Sequence, residues 1–167
     1  MGKVVMTSHE IQHSPPSGDN PEPETHRVLI VDDEPAICFA YRKLLESERF
    51  GFDICESIDA AITLLHRNEY FAVISDVRFA GSNNEDGVYF VSVVRKEQPL
   101  AKVILVTGYG SDKLKKTAHE LGASHYFEKP VMPSLILSLL RALHLVADEN
   151  EENAFFKNLL LTKTQVS

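Results

Sequence analysis

Two hydrophobic periods take turns along this chain. Consecutive apolar and β-branched residues stand over 27–31, 52–56, 70–75, 102–107 and 124–128. Between and after them, apolar residues recur at three- and four-residue spacing over 36–48, 58–67, 87–97, 112–121 and 133–146, the spacing that lines one face of a helix. The runs Val28-Leu29-Ile30-Val31 and Val103-Ile104-Leu105-Val106 contain no polar residue. A strand with one wet face would alternate, so both read as central strands of a parallel sheet covered on its two sides. Five strand-then-helix units within 26–147 predict a doubly wound α/β domain.

In sheets of this kind the functional site lies beyond the carboxyl ends of the central strands. The first strand is followed by Asp32, Asp33 and Glu34, the third by Asp76, and the fourth ends on Thr107-Gly108. The fifth runs into Lys129-Pro130. Acids, a hydroxyl and an amine therefore converge on one rim.

Composition changes the picture at the two ends of the chain. Residues 1–25 carry Pro15, Pro16, Pro21 and Pro23 among Ser, Gly, Asn, Asp and Glu. That mixture buries too little apolar surface to offset its ordering entropy and predicts a disordered arm. Residues 148–167 begin with the acidic run Asp148-Glu149-Asn150-Glu151-Glu152, then carry the apolar stretch Phe155-Phe156-Lys157-Asn158-Leu159-Leu160-Leu161. This tail is too short for a DNA-binding or catalytic output domain. Left exposed it would be adhesive, so it is expected to pack on its own domain or on a partner.

The net charge of −7 does not suit a nucleic-acid binder, which needs a basic face for phosphates. No apolar run approaches the roughly 20 residues of a membrane span, and the N-terminus lacks a secretory pattern. The chain reads as cytoplasmic. Cys38 and Cys55 fit that compartment as reduced, buried residues.

The rim has a definite chemical use. Adjacent acids at a strand end repel one another unless a cation or solvent relieves them. Mg²⁺ takes oxygen ligands from one or two carboxylates and keeps several waters; Asp33 and Asp76 would suit it, with Asp32 acting through a water. A carboxylate such as Asp76 can attack a phosphoryl group once a metal screens the approach of two anions. Thr107 can donate its hydroxyl to one phosphoryl oxygen and Gly108 leaves room for the group, while Lys129 can hold another oxygen. Each feature alone also serves as an ordinary turn or helix cap. Their combination on four strand ends is what points to phosphoryl transfer.

At this point the sequence resembles the receiver domain of bacterial response regulators. The resemblance rests on Val28-Leu29-Ile30-Val31-Asp32-Asp33, Asp76, Thr107 and Lys129-Pro130, with separations of 43, 31 and 22 residues from Asp33 onward. It covers 26–147 and implies a stand-alone, chemotaxis-regulator-like protein. The implied fold is flavodoxin-like, a five-stranded parallel sheet in the order 2-1-3-4-5 with helices on both faces. Asp76 would accept the phosphoryl group from a sensor histidine kinase or a histidine phosphotransfer protein. Asp33, Asp76 and the backbone carbonyl of Arg78 would hold Mg²⁺, with Asp32 assisting. Thr107 and Lys129 would sense the phosphoryl group, and Tyr126 would be the switch aromatic. The resemblance further implies a cis Lys129-Pro130 bond and an output face formed by 112–121, the strand at Tyr126 and the last helix, with Lys113, Lys115 and Lys116 nearby. The expected protein is a monomer or weak dimer that signals to a downstream protein rather than a nucleic acid or membrane. It would not be a turnover enzyme.

Three features depart from the family pattern. The loop after Asp76 reads Val-Arg-Phe-Ala-Gly-Ser-Asn-Asn-Glu-Asp-Gly; it lacks the usual proline and is longer. Arg78 and Tyr109 stand two residues beyond Asp76 and Thr107, where bulk would hinder an attacking water, so slow self-dephosphorylation is expected. The 148–167 tail is the third. Two rival readings exist: a receiver-like module that no longer uses phosphorylation, and a metal-dependent aspartyl phosphatase. The first has no reason to keep Asp32, Asp33, Asp76, Thr107 and Lys129 together. The second resembles a pattern of two acids separated by one residue, whereas Asp32 and Asp33 are adjacent and no cap insertion follows.

Overall fold

The computed structural model describes residues 11–13, 26–48, 50–77 and 84–144. In chain order these form β1 (Ile11–His13), β2 (Arg27–Val31), α1 (Pro35–Leu45), β3 (Gly51–Cys55), α2 (Ile58–Leu65), β4 (Ala72–Asp76), α3 (Asn84–Glu97), β5 (Lys102–Thr107), α4 (Asp112–Glu120) and β6 (His125–Glu128). A further helix, α5, runs over 133–144. The chain divides into two compact units, 1–133 and 134–167. The first holds the whole sheet and α1–α4; the described part of the second is the helical stretch 134–144.

The sheet order is β1-β3-β2-β4-β5-β6. The five strands from β2 to β6 are parallel, and counted alone they give the expected order 2-1-3-4-5. β1 was not expected. It lies inside the segment read as an arm and pairs antiparallel with β3, placing Ile11 opposite Cys55 and His13 opposite Asp53. Backbone pairing with a sheet edge asks little of the side chains, and three residues are too few to show a period. The rest of the arm, the loop over 78–83 and the 148–167 tail lie outside the described residues.

The two faces of the sheet follow from the period-2 alternation of strand side chains. Leu29, Val31, Val73, Val103 and Leu105 join one core with Ala61, Leu64 and Leu65 of α2, Phe90, Val91 and Val94 of α3, and Ala118 of α4. The alternate residues Ile30, Ile74 and Val106 look the other way and share a cavity wall with Ile37 and Tyr41 of α1. Residues 28–31 are wholly buried, as a central parallel strand requires. Each such side chain contributes roughly 1.5–3 kcal/mol.

Caps and close contacts set where the helices begin. Ser57 and Ser111 accept hydrogen bonds from the Ala60 and Leu114 N–H groups and so cap α2 and α4. Pro35 occupies the first turn of α1, where its missing N–H costs nothing. Helix α3 starts at Asn84, three residues before the expected start. Gly87 explains its approach to the sheet: a Cβ there would lie 2.2 Å from the Val77 carbonyl oxygen and 2.6 Å from its Cα. Only a residue without a side chain lets α3 come so near the strand end that carries Asp76.

Candidate functional site

Four strand ends build the rim, each fixed by its neighbour's backbone. The Asp32 N–H donates to the Cys55 carbonyl at 3.1 Å, while the Asp32 carbonyl accepts the Cys38 S–H at 3.1 Å. Asp76 is the last residue of β4 and pairs with Val106. The Val77 N–H then donates to the Val106 carbonyl at 3.1 Å. Thr107 ends β5, and its carbonyl accepts the Lys129 N–H at 2.7 Å, which holds the start of the β6–α5 turn against the rim. The Lys129-Pro130 bond is cis, as expected.

These ends bring together most of the residues expected from the sequence. Asp32, Asp33 and Asp76 offer carboxylate oxygens that all lie within 4.8 Å of one another. Lys129 Nζ lies 2.7 Å from Asp76 Oδ2 and 3.5 Å from Asp32 Oδ2. Thr107 is fully buried, and its Oγ1 accepts the Tyr109 N–H at 3.1 Å. A Cβ built on Gly108 would meet nothing within 4 Å. Arg78 lies outside the described residues. Tyr126 packs against the core shared by the sheet and α2–α4. Its hydroxyl is buried beside the Ser111 backbone without a hydrogen bond of ordinary geometry.

Glu34, read from the sequence as one of the rim acids but given no role there, meets the amine. Glu34 Oε1 lies 2.7 Å from Lys129 Nζ, as close as Asp76 does. The signal for it was present in the Asp-Asp-Glu triplet. Sequence alone does not say that the third acid turns toward an amine 95 residues away. Cys38 was placed correctly in the core, but its bond to the Asp32 backbone has no sequence signature.

The electrostatics follow from this crowding. A cavity of about 240 Å³ lies under the rim, with apolar walls from Ile37, Tyr41, Ile74 and Val106. Burial against it pushes the Asp32 carboxyl up to about 6, partly opposed by the Glu34 N–H and the Lys129 charge and reinforced by Asp76. Burial alone would lower the Lys129 ammonium. Its hydrogen bonds to Asp76 and Glu34 and the charge of Asp32 outweigh that and leave it above its ordinary value. Burial pushes both thiols, Cys38 and Cys55, up to about 12, which suits inert core residues. The site thus holds a permanently charged amine among acids that repel one another. That donor set fits a hard divalent cation, which would relieve the repulsion with oxygen ligands.

The comparisons agree with this geometry. A family model described as the response regulator receiver domain matches residues 28–141. An NtrX-like response regulator of Rickettsia bellii is 32% identical over 139 residues, covering 83% of this chain and 29% of the relative. The chain therefore spans less than a third of that relative's length. Among solved structures, a CheY-like receiver domain protein from Methanospirillum hungatei superposes with a TM-score of 0.65 at 27% identity, covering 77% of this chain and 98% of the other. A response regulator from Burkholderia pseudomallei, solved with a phosphorylated aspartic acid, calcium ion and citrate, shares the fold with a TM-score of 0.63 at 24% identity, covering 77% and 75%. Strand order, the converging strand ends and the family match lead to one statement: this chain belongs to the response regulator receiver domain family of two-component signalling.

Proposed function

We propose that this receiver takes a phosphoryl group on Asp76 from a sensor histidine kinase or a histidine phosphotransfer protein and passes the change to a downstream protein in the cytoplasm. The observation that carries the reading is the meeting of Lys129 Nζ with Asp76 Oδ2 at 2.7 Å, inside a set of three acids within reach of one cation. Asp33, Asp76 and the Arg78 carbonyl would hold Mg²⁺, with Asp32 assisting. Bound there, the ion neutralises charge so that a phosphoryl dianion can approach a carboxylate.

The remaining work falls to the chain's own side chains. Asp76 supplies the attacking oxygen; the donor's bond to phosphorus breaks and its electron pair leaves with the donor. Lys129 is already charged and needs no proton transfer to hold a phosphoryl oxygen. Thr107 can turn its hydroxyl toward the new group, giving up the Tyr109 N–H it now accepts. Tyr126, whose hydroxyl has no well-formed partner in this state, is free to answer that movement by repacking. The output face would include α4, whose Lys113, Lys115 and Lys116 are exposed, together with β6. Tyr109 is exposed beside the site; with Arg78 it would hinder water and slow self-dephosphorylation.

Intact mass after incubation with Mg²⁺ and acetyl phosphate tests the reading, with Asp76→Asn alongside. One added phosphoryl group that needs Mg²⁺ and is absent from the variant is the expected result. No gain in the wild-type chain would leave the phosphorylation-independent module as the better reading.

A further inference from the structure

We propose that Glu34 is a positioning residue for Lys129: it holds one of the ammonium's N–H groups in the resting site and must release it when a phosphoryl group arrives. The inference rests on the function proposed above. An ammonium has three N–H donors and no more. Here one points to Asp76 Oδ2 at 2.7 Å and one to Glu34 Oε1 at 2.7 Å, while Asp32 Oδ2 stands at 3.5 Å for the third. A phosphoryl oxygen that is to bind Lys129 must therefore displace a carboxylate.

Burial decides which one yields. Side chains of Asp32 and Asp76 are 6% exposed, and moving either would break the floor of the site; the Glu34 side chain is 58% exposed. Glu34 alone of the three can swing out and be hydrated at little cost. The backbone points the same way. Glu34 is the N-cap of α1, yet its side chain accepts no capping hydrogen bond from the first turn. Ser57 and Ser111, at the matching positions of α2 and α4, do cap. The Glu34 carboxylate has been turned from the helix to the amine.

Two consequences oppose phosphorylation in the resting state. Glu34 occupies the donor that the phosphoryl oxygen needs, and its negative charge stands at the exposed mouth that an anionic phosphodonor must cross. During transfer from acetyl phosphate, an Asp76 carboxylate oxygen forms the new bond to phosphorus while the donor's P–O bond breaks and its electron pair leaves with acetate. The transferred oxygens then take the N–H that Glu34 gives up.

The test compares initial rates of phosphorylation by acetyl phosphate with Mg²⁺, followed by intact mass at low and high salt. E34Q removes the charge; E34S removes it and installs a side chain that caps α1, so a faster rate there cannot come from a loosened helix. E46Q makes the same change of net charge at the exposed partner of Lys43. Both Glu34 variants are expected to react about three- to tenfold faster than wild type, with the gap shrinking as salt screens the mouth, and E46Q to match wild type. Rates for E34Q and E34S at or below that of wild type, or an equal gain in E46Q, would overturn the inference while leaving the acceptor role of Asp76 intact. A wild-type chain that gains no phosphoryl group overturns the functional reading and this inference together.

Discussion

Asp53 and Asp32 are both buried carboxylates on neighbouring strands, and the protein treats them in opposite ways. Asp53, in the middle of β3 and fully buried, is clasped by Arg27 through Nε at 2.6 Å and Nη2 at 2.8 Å. It also accepts the Tyr70 hydroxyl at 2.7 Å and the Asn68 amide at 3.1 Å. A planar guanidinium facing a carboxylate is the strongest geometry available to such a pair. Asp32, just past the end of β2, shares Lys129 with Asp76 and Glu34, and burial, reinforced by the charge of Asp76, pushes its carboxyl up to about 6. A buried charge that is closed by fixed protein donors is scaffolding. One that shares a single amine with other acids has a donor set that suits a hard divalent cation.

The largest effect should come from breaking the closed cluster. Arg27→Met takes the guanidinium away from the buried Asp53, and removal of one partner from a buried pair costs about 3–5 kcal/mol. Urea unfolding should show that loss, whereas Asp76→Asn should change stability by less than about 1 kcal/mol and abolish phosphoryl gain. Equal destabilisation by the two variants would erase the distinction drawn between the clusters.

Next in size is the pH response of Asp32. Its folded-state pKa, about 6, lies above the ordinary 3.8, so the folded chain holds this proton more tightly than the unfolded chain does. The resulting penalty is absent below about pH 4, grows as pH rises to about 6, and is constant beyond. Without divalent ion, Asp32→Asn should therefore be more stable than wild type by on the order of 2–3 kcal/mol at pH 7, with the advantage vanishing near pH 4. Saturating Mg²⁺ should narrow the gap at pH 7, because the ion relieves the wild-type acids. A difference between the two proteins that does not vary with pH would count against burial as its cause.

How much of this was legible beforehand depended on sequence distance and on period. The five parallel strands and the polar residues at their ends followed from the apolar runs, and the strand order from the resemblance to the receiver family. The Asp53 cluster did not. Its partners Arg27, Asn68 and Tyr70 meet it across 26, 15 and 17 residues, and a single charge inside Phe52-Asp53-Ile54-Cys55 is the only trace it leaves. The same limit hid the contact between Glu34 and Lys129, which is made by two residues on separate elements. Strand β1 escaped for a different reason, since its three residues pair through backbone groups that any sequence possesses.

Gly87 offers a smaller test that links the rim to the helix behind it. Alanine in a helix interior normally gains about 1 kcal/mol over glycine. Here the added Cβ would strike the Val77 backbone, so Gly87→Ala should instead cost about 1–3 kcal/mol and slow phosphorylation by moving the strand end that carries Asp76. A gain in stability would mean that α3 can retreat freely and that the rim does not depend on it.

The smallest expected change in stability is the most informative about signalling. Thr107→Val keeps the shape of a buried β-branched residue and removes the oxygen that accepts the Tyr109 N–H, a loss of about 1 kcal/mol or less. The variant keeps Asp76, Lys129 and all three acids, so it should still gain a phosphoryl group. What it should lose is the coupling: with no hydroxyl to follow the phosphoryl oxygens, nothing draws the end of β5 toward them. The ring of Tyr126, which packs on the same core, then has no reason to leave its place. Tyrosine ring resonances recorded before and after phosphorylation distinguish the cases. In wild type the Tyr126 signals should shift on phosphorylation, and in Thr107→Val they should stay where they were. A full shift in the valine variant would mean that Lys129, not Thr107, carries the message from the rim to β6.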